Sequence, residues 1–164
     1  MFKKKHTLIA LVEDKPGVLN RVVSLFRRRG YNIQSLAVGG SERPGLSRMS
    51  FVVVGDSAVV EQVRKQLDKL IDVVKVSDIT DIDAVSRELA LIKVKAPASV
   101  RSEIMQIVDI FRANIVDVSS NSLTVEATGD ESKLESLIEL LHRFGIKEIT
   151  RTGKIAITRG GVKD

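Results

Sequence analysis

The stretch Leu8-Ile9-Ala10-Leu11-Val12-Glu13-Asp14-Lys15-Pro16-Gly17-Val18-Leu19 decides how the rest of the chain is read. Its apolar beginning, Leu8 to Val12, alternates too little for a half-exposed strand and reads as a well-buried one. Pro16 then has no backbone N–H to leave unpaired, and Gly17 lets the backbone approach a neighbour closely. Val18, Leu19, Val22, Val23 and Phe26 follow on one helical face. The pattern predicts a strand, a tight turn and a helix over 17–29, with Gly30 in the usual stop position. The first N–H groups of such a helix point outward without partners and suit a small anion, carboxylate or phosphate. A Pro-Gly turn is also a common way merely to redirect a chain, so the motif alone is not specific.

Working outward, the same order of elements occurs twice. Asn32 to Val38 reads as a second strand, 39–45 as a Gly-rich loop, and Arg48 to Val54 as a third strand. Asp56 or Ser57 is placed to cap a second helix carrying Val59, Val60, Val63, Leu67 and Leu70. Val73 to Ile79 closes the unit as a fourth strand, giving β-α-β-β-α-β, the ferredoxin-like motif. A polar stretch, 81–86, leads into a second pass. Leu89 to Lys95 is its first strand, Pro97 opens a helix through Phe111, and a hairpin turns around Ser119-Ser120-Asn121. Asp130 caps a fourth helix, and 146–157 supplies the last strand, bent at Gly153. The expected organisation is α+β, with a first domain over 1–80, a linker over 81–86 and a second domain over 87–164. Domains of this size are marginal alone, and each sheet has a face and edges to cover. An oligomer is therefore expected, a homodimer at least.

Composition narrows the chemistry. The 164 residues include no cysteine, which excludes disulfides, thiolate catalysis and Cys-based zinc sites. No apolar run is long enough to span a bilayer, and 7–12 is too short for a secretory segment. A soluble, cytoplasmic protein is the expectation. The formal charge of +5 comes mostly from the first half, with dense blocks only at 3–5 and 27–29. The second block ends the first predicted helix, where cations complement the helix dipole. His6, in a basic N-terminal tail, and His142, near the end of the last helix, are the only histidines, and no cluster has metal-ligand spacing. Thr152-Gly153-Lys154 is like the end of a phosphate loop, but Glu148 occupies the required upstream glycine position. No catalytic constellation is legible, and the chain reads as a binding protein.

Two binding classes share this topology. RNA-recognition modules stack bases on aromatics of their central strands. Here the third strand offers only Phe51 and the first strand none, so nucleic acid is disfavoured. The other class is a small-ligand regulatory module, and here resemblance contributes. Leu11 to Leu19, followed by Arg29-Gly30-Tyr31-Asn32-Ile33-Gln34-Ser35-Leu36, resembles an ACT domain, and more narrowly the regulatory small subunit of acetohydroxyacid (acetolactate) synthase. Leu46 to Met49, Gln66 to Val73, Arg87 to Val94, Ile110 to Ala113 and Ile115 to Val118 extend the likeness over nearly the whole chain.

The resemblance implies a subunit without catalytic activity. It would activate a separate catalytic subunit that carries thiamine diphosphate, magnesium and FAD, with no cofactor on this chain. It would also confer feedback inhibition by valine or another branched-chain amino acid. A free-standing ACT-domain amino-acid sensor of some other enzyme is the alternative. By motif position, the amides of Gly17, Val18 and Leu19 would hold the effector carboxylate. Asp14 and Asn32 would meet its ammonium, and Ile33 with Leu36 would line the apolar pocket, one copy facing the next. Lys15 would aid the carboxylate or face solvent. The exposed parts of the first domain and the 39–47 loop are expected to contact the catalytic subunit. The second domain has no glycine at the matching place in Lys95-Ala96-Pro97-Ala98-Ser99, and so is expected to serve assembly or activation.

Overall fold

Alternation in the first strand organises the first unit. In the computed structural model, which describes residues 3–161, β1 (Lys4–Glu13) buries Leu8, Ala10 and Val12 in one core. Successive side chains of a strand point to opposite faces, so Ile9 and Leu11 lie on the other side of the sheet. Helices α1 (Val18–Arg28) and α2 (Ser57–Asp68) cover the core face through Val18, Val22, Leu25 and Phe26, and through Val60, Val63 and Leu67. Strands β2 (Ile33–Gly40), β3 (Leu46–Gly55) and β4 (Val73–Asp78) complete a sheet of order β2-β3-β1-β4. All its pairings are antiparallel, which is the ferredoxin-like arrangement. At the centre, the rings of Phe26 and Phe51 meet at 5.2 Å between centroids.

The local signals act where they stand. Gly30 adopts φ +71° after α1, and the Asp56 carboxylate accepts a hydrogen bond of 2.8 Å from the Ala58 N–H. β4 carries one extra residue against β1: Leu11 faces Lys75 while Val12 faces Val73. The bulge leaves Val74 exposed.

The second unit repeats the plan with β5 (Ala84–Lys95), α3 (Arg101–Ile110), β6 (Asn114–Val118), β7 (Ser122–Gly129), α4 (Glu131–His142) and β8 (Ile146–Arg151). Its sheet order is β6-β7-β5-β8, and Ala90, Ile92 and Val94 form the buried row of its central strand. Asp130 accepts from the Lys133 N–H at 2.9 Å, as the capping pattern predicts. Arg112 ends α3 at φ +51°, the conformation Gly30 adopts after α1.

Four expectations shift. β5 begins at Ala84, inside the stretch read as a linker, and β7 pairs with it from Glu88 onward. Pro97 lies in a turn closed by Val100 N–H to its carbonyl at 3.0 Å, and α3 starts only at Arg101. The last strand is broken: Gly153, at φ +84°, separates β8 from β9 (Ile155–Thr158). Residues 154–161 then pack with residues 3–85, leaving 86–153 as the second unit. Lys154 Nζ donates to Thr7 Oγ1 at 3.0 Å, and Arg159 N–H to the Asp83 carbonyl oxygen at 3.0 Å. Lastly, His6 is no tail residue. It lies within β1 at 4% exposure, with Nδ1 3.5 Å from Asp78 Oδ2.

Two substitutions test this packing by denaturant unfolding. Phe51→Ala empties a fully buried site and is expected to cost about 3–5 kcal/mol. Arg112→Gly relieves a left-handed backbone that L side chains resist, and is expected to add about 1 kcal/mol.

Candidate functional site

The turn after β1 is held from two sides. Glu13 N–H donates to the Asp72 carbonyl oxygen at 2.8 Å, and Asp14 N–H to that of Gly45 at 2.9 Å. Gly17 follows at φ +86° as the residue before α1, a conformation open to glycine at little cost. No side chain caps this helix, and no acid lies in its first turn. The N–H groups of Gly17, Leu19 and Asn20 have no partner among the described residues. Val18 N–H leans on the Lys15 carbonyl oxygen at 3.3 Å, while its side chain is buried in the core. Of the three amides expected to bind a carboxylate, those of Gly17 and Leu19 are therefore open. Asn20 supplies a third.

Charge at this terminus is arranged by residues the motif does not contain. Arg21 donates from Nε to Asp72 Oδ2 at 2.7 Å, with an Nη2 contact of 2.6 Å to the same oxygen. The partners are 51 residues apart, so only the fold joins them. Arg21 stands one helical turn after Gly17, and a Cβ at 17 would lie 3.3 Å from its guanidinium. The ion pair sets a guanidinium beside the open amides, its charge shared with the Asp72 carboxylate. Lys15 faces solvent, as one of its two readings expects, with its side chain 63% exposed and its ammonium paired with Glu13 at 2.7 Å. That hydrogen bond raises the Lys15 pKa above its ordinary value. Asp14 and Asn32 are both exposed, and neither side chain has a polar partner among the described residues.

One copy does not bring all the expected residues together. Glu13 is registered against Leu46 at one end of β3, and Ile33 against Val53 near the other. The seven steps from Leu46 to Val53 span about 23 Å at a strand's rise per residue. Asp14, Gly17, Val18 and Leu19 thus lie at one end of the sheet, and Asn32 with Ile33 at the opposite end. Ile33 and Leu36 are half-buried against the core, while β2 is an edge strand that, among the described residues, pairs with β3 alone.

The matching place in the second unit is built differently. Val100 precedes α3 at φ −118°, without a glycine turn. The Arg101 guanidinium folds back over it, donating to the carbonyl oxygens of Ala96, at 2.9 Å, and of Ser119. Among the described residues no group of three or more His, Asp or Glu side chains is placed to hold a metal ion. Among the described residues no helix is long and apolar enough to cross a membrane.

Comparison with known proteins bears on both units. Residues 8–75 match the family described as the AHAS small subunit-like ACT domain, and residues 87–160 match the small subunit of acetolactate synthase. A probable acetolactate synthase small subunit from Archaeoglobus fulgidus is 58% identical over 159 residues, covering 97% of this chain and 99% of its own. The acetolactate synthase small subunit of Mycobacterium bovis is 55% identical over 160 residues, covering 98% and 95%. The crystal structure of the Thermotoga maritima small subunit superposes with a TM-score of 0.88 at 46% identity, covering 97% of this chain and 99% of that one. With an open-amide turn on an ACT-type sheet and relatives of this identity along its whole length, the chain belongs to the acetolactate synthase small-subunit family.

Proposed function

We propose that this chain is the non-catalytic regulatory subunit of acetohydroxyacid synthase, activating a separate catalytic subunit and making it sensitive to valine. The observation that carries the effector site is the set of open amides at Gly17, Leu19 and Asn20, backed by the Arg21 guanidinium. A helix N-terminus favours an anion by only about 0.3–2 kcal/mol. An amino acid is a zwitterion, so burying it also requires partners for the ammonium. Asn32 and Asp14 have the right chemistry, but Asn32 lies at the far end of the same sheet. Antiparallel pairing of two β2 edges reverses one copy against the other. It would bring Asn32 of one copy to the open turn of its partner, with Ile33 and Leu36 supplying apolar wall.

Sharing the site in this way links effector binding to dimerisation. Inhibition follows if valine binds the inhibited arrangement of the synthase better than the active one, since equal affinity shifts nothing. Thiamine diphosphate, magnesium and FAD belong in this scheme to the catalytic subunit. The second unit, where Arg101 already engages the loop carbonyls, serves assembly or activation rather than holding valine in the same manner.

Calorimetric titration tests the site, with leucine and isoleucine beside valine. Saturable valine binding is expected in the native chain and is lost in Asn32→Ala and in Gly17→Asp. Aspartate is among the L-residues that tolerate a left-handed backbone best, so the second variant should remain folded. Mixing the two variants should restore binding at one site of each mixed dimer. Full valine response in both variants, folded by circular dichroism, would refute the assignment.

A further inference from the structure

The face of the first sheet opposite its helices carries a second feature. Leu11 on β1 stands between Arg48 on β3 and Lys75 on β4, and Ile9 between Ser50 and Ser77. The returning segment 154–158 runs beside these rows, and the two enclose a cleft of about 640 Å³ within the first unit. Ile9, Leu11, Ile79 and Ala156 make its apolar floor. Val74 and Ile157 stand on its rim, 51% and 69% exposed.

Its charge is one-sided. Arg43, Arg48 and Lys75 border the cleft with a single carboxylate, Glu42. Arg48 grips that carboxylate with two hydrogen bonds, of 2.8 and 3.1 Å. The grip lowers the Glu42 pKa from 4.5 to about 2, so this pair is already matched at neutral pH. Arg43 and Lys75 form no salt bridge with a carboxylate among the described residues, although Arg43 adds to the positive field on Glu42. Arg43 is presented on a loop tied internally. Ser41 N–H donates to the Leu46 carbonyl oxygen at 2.9 Å, Leu46 N–H to that of Arg43 at 3.2 Å, and Ser41 Oγ to that of Leu46 at 2.8 Å. Little loop entropy remains to be lost when something docks there.

We propose that this cleft receives an acidic, aliphatic segment of the catalytic subunit. The proposal rests on the reading that this chain partners such a subunit. An amino acid would leave the rim aliphatics uncovered, and its ammonium would face unmatched cations. The second copy invoked above is placed at the β2 edge, away from this cleft, which β1, β3, β4 and 156–158 line. An acidic segment with apolar side chains satisfies both the floor and the two free cations.

The test measures association of the full-length chain with separately purified catalytic subunit at two salt concentrations. The Arg43→Glu/Lys75→Glu variant is expected to bind at least tenfold more weakly and with a shallower salt dependence. Its valine titration and circular dichroism should be unchanged. Arg27→Glu/Arg28→Glu, with charges reversed on exposed α1 positions, should bind as the native chain does. Equal losses in both variants would mean bulk charge alone and would overturn the proposal. So would native-like association of the cleft variant, or a change confined to its self-association by sedimentation. Failure of the native chain to bind the catalytic subunit would instead overturn the partner reading itself.

Discussion

The period of two in β1 is the constraint on which the first unit depends. Leu8, Ala10 and Val12 commit one face to the helices, which leaves Ile9 and Leu11 to the other. A shift of one residue in register would exchange the two faces. The end of the same strand fixes where the Pro16-Gly17 turn begins, because Glu13 and Asp14 are bonded to Asp72 and Gly45. Core, turn and cleft are therefore three consequences of one strand's pairing. Mutations in its core row would be felt at both surfaces.

The two units share a topology and diverge where chemistry is concerned. In the first, a left-handed glycine opens the helix terminus and leaves amides available. In the second, Val100 holds an ordinary backbone and Arg101 turns inward to the loop carbonyls. The surrounding fold is the same in kind, so the difference lies in a few side chains at one turn. Function here resides in the site and not in the ferredoxin-like frame.

The proposed dependence on a second copy has a physical basis in the register. A zwitterionic ligand needs an anion site and a cation site a few ångströms apart. This sheet sets its best candidates, the Gly17 turn and Asn32, toward opposite ends within one chain. An unpaired β2 edge and a divided site point to the same remedy, pairing between copies. On the proposed reading, such a chain would sense its effector only as an assembly.

Much of this was legible in the residues. Hydrophobic periodicity, glycine stops and Asp caps are local signals, so the doubled β-α-β-β-α-β order and the caps at Asp56 and Asp130 could be read directly. The quoted motifs carried the family. Other features were not legible, because they depend on contacts distant in sequence. The Arg21–Asp72 pair joins residues 51 apart, and nothing near either one announces the other. The return of 154–158 to the first unit depends on Gly153 breaking a strand that propensity alone would continue. His6 reads as tail and is buried, because β1 extends back to Lys4 once β3 can pair with it. The sequence by itself determined the elements, their order and the turn chemistry, since these obey local sterics and periodicity. Only the tertiary structure decided which charges meet, which segment crosses back and how far apart the two halves of the proposed effector site lie, since register and long-range packing set those distances.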